Sequence, residues 1–327
     1  MFAIVFPLVA SAKPTGNPAY TDPSATDDDF AFQGEYSGII AHESGESKFG
    51  VHVIARGDGK FDVVAYPGGL PGDGWVPPEK IRGTGIRKGG RVRIEGFDMN
   101  GTKRQGEIHG DTFVVLDDGD KPIGELPKVK RASPTLGAKP PEGAIVIFDG
   151  DGPVDESTTL VDPKITDDGL LMQGVVTKEA FGDATWHIEF RLPYQPKDRG
   201  QQRGNSGAYF HGRYEVQMLD SFGLEGKDNE CGGVYSVAPP RVNMCYPPLT
   251  WQTYDVEVTS PKYEGDKKIS DARLTVRHNG VLIHENIEVA KVTPSGRNGP
   301  DKTRGPLYLQ DHGNPVRYRN IYVVPKP

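Results

Sequence analysis

No long window of this chain carries a helical period; short runs alternate apolar with polar side chains instead, and Gly, Pro, Asn or Asp closes most of them. With 42 Gly and 28 Pro among 327 residues, turns come so often that packed antiparallel sheets are the natural way to bury the apolar faces. The expected fold class is all-β. Residues 30–131 carry strand patterns at Phe32 to Ile40, Phe49 to Ala55, Lys60 to Tyr66, Arg91 to Phe97, Lys103 to Ile108, Thr112 to Leu116 and Pro122 to Val129. Asp58-Gly59 and Asn100-Gly101 are hairpin signals between them. This spacing predicts a small antiparallel β-barrel or sandwich. The Gly- and Pro-rich loop from Tyr66 to Trp75 has two readings: a lip reaching over a neighbouring site, or a loop packed on its own barrel.

A Pro-rich linker, residues 132–143, leads to a second region, 144–327. Its strand patterns fall at Leu170 to Val175, Ala184 to Leu192, Ser206 to Phe210, Tyr214 to Leu219, Gly233 to Val237, Gln252 to Ser260, Ala272 to His278, Val281 to Glu288, Gly305 to Gln310 and Tyr318 to Pro325. Asn279-Gly280 is a further hairpin signal. Two packed antiparallel sheets fit this pattern; periodicity alone does not choose sandwich over barrel.

Residues 1–29 read as an export signal remnant followed by a linker. The apolar run Phe2 to Ala12 is too short to span a bilayer, which takes about 20 residues, and Ala10-Ser11-Ala12 has the small-x-small form of a signal-peptidase site. The expected location is therefore periplasmic or extracellular, with no membrane span. In an exported protein Cys231 and Cys245 read as a disulfide, whose loop of about 15 residues would stabilise by roughly 3 kcal/mol on the chain-entropy estimate. A formal charge of −7 with no basic run excludes the usual nucleic-acid binder.

The stretch from Asn205 to Phe222 is the centre of the functional reading. It is a hairpin turning at His211-Gly212-Arg213, and in its second strand Tyr214, Val216 and Met218 share one face while Glu215 and Gln217 share the other. Polar groups on an open strand face, near Tyr209 and His211, suit sugar binding. Behind it, in order, stand Gly232 to Tyr235, Trp251 to Tyr254, Leu309 to Gly313 and Arg319 to Ile321. Together with Gly207 and Tyr214 to Asp220 they resemble the 3-keto-disaccharide hydrolase family, whose pattern is similar to G-x-Y/F-x-R, Y-E-x-Q-x-x-D, G-x-x-Y, W-x-x-Y, L-Q-D-H-G and R-N-I. The resemblance runs from about Ala144 to the C-terminus, with His211 standing where an Arg is expected.

The resemblance implies a concanavalin-like jelly-roll sandwich and a 3-keto-glycoside as substrate. A ketone at C3 of the glucosyl unit acidifies the C2 proton; a base removes it, the C1 substituent leaves, and water adds back. Such a site needs a general base, a group to hold the enolate charge and a proton for the leaving oxygen. Glu215 is the expected acid/base, Arg213 or Arg319 the enolate partner, and His312 a second acid/base or a metal ligand. A divalent cation held by His312 with Glu215 or Asp220 is an alternative source of enolate stabilisation. Tyr209, His211, Gln217, Tyr235, Asn243 and Gln310 are the expected sugar-hydroxyl binders, whereas Trp251 reads as core. Two other classes stay open: a retaining glycosidase using Glu215 with Asp220, and a carbohydrate-binding module without turnover.

Overall fold

The computed structural model describes residues 16–42, 45–150, 159–299 and 301–326. The apolar run Phe2 to Ala12, with its expected export signal, lies outside the described residues. No helix among the described residues is long and apolar enough to cross a membrane.

The first region is a closed eight-stranded antiparallel barrel. Gly34–His42 opens it and pairs with both Gly45–Gly57 and the last strand, Pro122–Val129, so no edge is left unpaired. Between them run Lys60–Pro67, Ile81–Lys88, Arg91–Phe97, Lys103–His109 and Thr112–Leu116. The strand Ile81–Lys88 is absent from the sequence expectation. Gly83 and Gly85 interrupt its alternation, and most of its side chains face water. Gly83 lies opposite Gly96, and a Cβ on either would meet the partner strand's backbone at 2.6 or 2.5 Å.

The second region is the jelly-roll sandwich. One sheet is five-stranded, in the order Leu160–Val161, Val175–Thr177, Tyr308–Leu309, Ser206–Phe210, Tyr214–Met218. The other is seven-stranded: Leu171–Met172, Arg317–Pro325, Ala184–Arg191, Trp251–Thr259, Ala272–His278 and Val281–Val289, with Ile145–Phe148 added on Arg317–Pro325. Trp186, Phe190, Phe210, Val216, Met218, Tyr254 and Val256 fill the core between them. Gly233 to Val237, expected as a strand, is instead a turn-rich loop along the outer edge of Tyr214–Met218. Its backbone makes the bonds Gln217 N–H to Gly233 O, Gly232 N–H to Gln217 O and Tyr235 N–H to Glu215 O.

Barrel and sandwich are tightly joined. Phe222, four residues beyond the Tyr214–Met218 strand, packs with Ile54, Val64 and Tyr66 of the barrel and stacks on His52 at 4.3 Å. Arg203 reaches from the sandwich to the barrel carbonyl of Ala55 while its Nε donates to Asp220. Arg131, at the start of the linker, donates to both carboxylate oxygens of buried Glu35. The Tyr66 to Trp75 loop belongs to this junction: Pro71 O accepts from Arg131, and a Cβ on Gly72 would strike Met244. Residues expected as a loose N-terminal linker are also held. Tyr20 pairs by backbone with Tyr194, and the Asp29 carboxylate accepts from Arg87 and from the Gly59 N–H.

Candidate active site

The turn at His211-Gly212 is left-handed at both residues, φ 54° and 65°, which folds Tyr214–Met218 back on Ser206–Phe210 with Tyr209 opposite Glu215 and Gly207 opposite Gln217. Period-two alternation then sends Tyr214, Val216 and Met218 into the core and Glu215 and Gln217 to the far face. There they line a hollow of about 70 Å³ with Tyr209, Tyr235, Gln310 and His312. Gln201, Asn205, Pro294 and Ser295 complete its wall.

Glu215 is 2 % exposed. Its Oε2 accepts from the Tyr209 hydroxyl at 2.7 Å, and no cation is bonded to it among the described residues. Burial pushes its pKa up to about 8, against the lowering effect of the Tyr209 bond. Gly207 is what makes room for this carboxyl: a Cβ there would lie 2.2 Å from Oε1. The Glu215 N–H donates to Thr293 Oγ1, tying the strand to the segment that carries Pro294 and Ser295. Gln310 Nε2 stands 3.3 Å from the Tyr209 hydroxyl. His312 is exposed at the rim, on a turn closed by the Gly313 N–H donating to Asp311 Oδ1.

On the opposite wall three amides are linked. Asn205 Nδ2 donates to Gln201 O and Oε1, and Gln217 Nε2 donates to the same Oε1. Asn205 Oδ1 is buried with no partner among the described residues. Sequence reasoning missed Gln201 and Asn205, although Asn205 opens the hairpin stretch. A side-chain amide on a turn carries no signal of its own.

Several expected site residues lie elsewhere. Arg213 turns away and donates to the carbonyls of Gly299, Asp301, Lys302 and Arg304, anchoring that loop. Arg319 is on the seven-stranded sheet, bonded to Glu189 at 2.8 Å and lying 4.2 Å over Trp251. Trp251 is thus a platform for guanidinium groups rather than core. His211 is buried in its turn against Gly182 O. Asn243 is spent on the carbonyls of Ser221 and Leu224 and the N–H of Cys245.

Asp220 forms a buried ion pair with Arg203 at 2.6 Å and does not line the hollow. It is therefore neither His312's partner in a metal site nor a second carboxyl for a glycosidase. No group of three or more His, Cys, Asp or Glu suited to a metal occurs among the described residues. Glu215 and His312 alone are two ligands, fewer than a divalent cation takes from a protein site of its own. The expected disulfide is not formed either: Cys231 and Cys245 are buried thiols. Cys231 Sγ lies 3.2 Å from the Tyr254 hydroxyl, and Cys245 Sγ points at the carbonyls of Leu219 and Tyr246.

A jelly roll whose open sheet gathers an acid of raised pKa, tyrosines, amides and an imidazole defines the class, a carbohydrate-active enzyme domain. Residues 138–324 match the 3-keto-alpha-glucoside-1,2-lyase-like domain, and the chain belongs to that family. A solved structure described as a candidate glycosyl hydrolase from Parabacteroides distasonis ATCC 8503 is 29% identical, with a TM-score of 0.50, over 57% of this chain and 84% of that one. A second candidate glycosyl hydrolase from the same organism is 17% identical, with a TM-score of 0.36, over 50% of this chain and 92% of that one. No match is found among curated proteins.

Proposed function

We propose that the chain cleaves 3-keto-glycosides by β-elimination followed by hydration. The observation that carries this reading is that Glu215 is the one carboxyl among the described residues lining the hollow, and it is held at a pKa of about 8. Glycosidases that displace directly at C1 use two carboxyls flanking the bond. Elimination from a 3-keto sugar needs one strong base, because the ketone already acidifies C2–H. A carboxylate whose conjugate acid titrates near 8 is a better base than an ordinary one, and a usable fraction is ionised at neutral pH.

In this reading ionised Glu215 takes the C2 proton. The electron pair forms C1=C2, and the C1–O bond breaks with its electrons going to the leaving oxygen. His312, exposed at the rim, delivers the proton to that oxygen. Water then adds at C1, its spare proton restoring His312, and Glu215, whose acid proton exchanges with solvent between the two steps, gives a proton to C2. The Gln310 amide, whose Nε2 lies 3.3 Å from the Tyr209 hydroxyl, supplies a hydrogen bond to the developing enolate, and the Tyr209 hydroxyl, released once Glu215 holds the C2 proton, supplies a second. Neither Arg213 nor Arg319 takes part. Tyr235, Gln217 and Asn205 hold sugar hydroxyls.

The test is incubation with 3-keto-trehalose and a 3-keto-β-glucoside beside their unoxidised parents, in deuterated water. Release of the C1 substituent from the keto forms alone, with deuterium at C2 of the product, is the expected result. Cleavage of keto and parent forms alike would replace this reading with ordinary glycoside hydrolysis, and binding without cleavage would replace it with a carbohydrate-binding module.

A further inference from the structure

The barrel is closed at one end and hollow at the other. Tyr194, from the loop after the sandwich strand Ala184–Arg191, is fully buried at the closed end and packs with the barrel core of Tyr36, Phe61, Val92 and Ile108. Tyr20 stacks on it at 5.7 Å and Phe30 meets it edge to face at 5.0 Å. At the other end lies a cavity of about 470 Å³, within the range that encloses a drug-sized molecule. Its floor is apolar, with Val51, Val63, Ile94 and Phe113. Gly83 and Gly96 face each other in its wall, two inward positions with no side chain to fill the space. Eight-stranded barrels are of the width that either packs solid with side chains or holds one small ligand. This one does the first at one end and leaves room for the second at the other.

The mouth has its own chemistry. Among the described residues lining it, Glu79, Asp98, Asp117 and Asp118 stand against one cation, Arg104, which is already paired with Asp98 at 2.7 Å. Large apolar side chains are exposed on two of the connections that frame it. Phe97 and Met99, beside Asp98, are 59% and 68% exposed, and Val76, three residues before Glu79, is 74% exposed. An acidic rim repels an anionic head group, while apolar lips and floor favour an apolar body. We propose that this open end is a binding site, separate from the jelly-roll hollow, for a small amphiphile with an apolar body and an uncharged or cationic polar end.

The full chain is titrated with neutral N-phenyl-1-naphthylamine and with the anionic dye 1-anilinonaphthalene-8-sulfonate, following fluorescence. Saturable binding of one neutral dye per chain, about tenfold tighter than the sulfonate, is expected. Ala65→Trp and Val115→Trp each place a ring in the cavity and abolish that binding, with folding checked by melting. Asp118→Lys, a change on the exposed rim, narrows the preference between the dyes, and Glu215→Gln, in the other domain, leaves the affinity for either dye as it is. No saturable binding, equal binding by a folded tryptophan variant, a preference for the sulfonate, or a dye ratio unmoved by Asp118→Lys would overturn the proposal. None of these readouts depends on the sugar chemistry.

Discussion

Two glutamates of the sandwich, Glu215 and Glu189, are equally hidden, at 2 % and 0 % exposure, and sit on strands of opposite sheets. Their chemistry is opposite. Burial alone would raise both. At Glu189 the bonds from His187, Asn320, the Gly137 N–H and Arg319 outweigh burial and hold its pKa down at about 2. At Glu215 one tyrosine hydroxyl is the opposing partner, and the pKa rises to about 8. A carboxyl surrounded by donors fastens structure: Glu189 joins the linker at Gly137 to the strand Arg317–Pro325. A carboxyl left with one neutral partner costs stability and gains basicity, which is what proton abstraction requires.

The largest effect that would break this contrast is on rate. Glu215→Gln is expected to lower keto-glycoside turnover at least about a thousandfold while making the protein more stable. The sign follows from linkage. The folded pKa lies above the unfolded value, so between about 4.5 and 8 the native state binds a proton that the unfolded chain releases, and stability falls as pH rises through that window. Removing the acid should therefore return on the order of 1–3 kcal/mol at pH 8, measured by urea unfolding. Equal turnover, or lower stability at pH 8, would show that Glu215 is a structural acid like its counterpart. Glu189→Gln is expected to do the reverse, costing about 2–4 kcal/mol by leaving donors and Arg319 without their anion. The depressed pKa of Glu189 contributes stability above about 4.5 that is lost as pH falls toward 2. The variant's stability should accordingly change less between pH 6 and pH 3 than the parent's.

How much of this contrast can be read in the sequence depends on range. The face of Glu215 follows from five alternating residues, Tyr214 to Met218, and a two-residue left-handed turn, both local. Glu189 has the same local pattern in Trp186 to Phe190, where His187 is its one local partner; the others come from Gly137 and from Arg319 and Asn320. The R-N-I motif is therefore visible while its purpose is not: Arg319, expected beside the enolate, lies on the sheet opposite Glu215. Arg213 failed differently: a guanidinium two residues from Glu215 can satisfy four carbonyls as readily as an enolate. The barrel's strands were visible except Ile81–Lys88, whose glycines remove the alternation that signals a strand, and its closure rests on pairing Gly34–His42 with Pro122–Val129 across most of the region. Asp220 looked like a catalytic partner in sequence, and its commitment to Arg203 is a tertiary fact.

A smaller effect sharpens the Glu215 side alone. Tyr209→Phe removes the bond that lowers the Glu215 pKa, so the ascending limb of the rate–pH profile should move to higher pH, and the rate at pH 7 should fall by roughly tenfold. An unmoved limb would mean that the titration seen belongs to a group other than Glu215.

The smallest effect concerns the core between the two acids. Tyr254, on the sheet of Glu189, donates to Gln217 O on the strand of Glu215 and lies beside Cys231. A disulfide from Cys231 to Cys245 would brace this contact and add roughly 3 kcal/mol. The thiols found here require that dithiothreitol leave the melting temperature unchanged within about 2 °C, whereas a 3 kcal/mol crosslink would move a chain of this size by several degrees or more. Both thiols should also be recovered by alkylation after unfolding without reductant. A fall in melting temperature on reduction would show that a covalent bond closes the loop between Met218 and Trp251, so that the Tyr254 hydrogen bond to Gln217 O is not alone in fixing that loop beside the core.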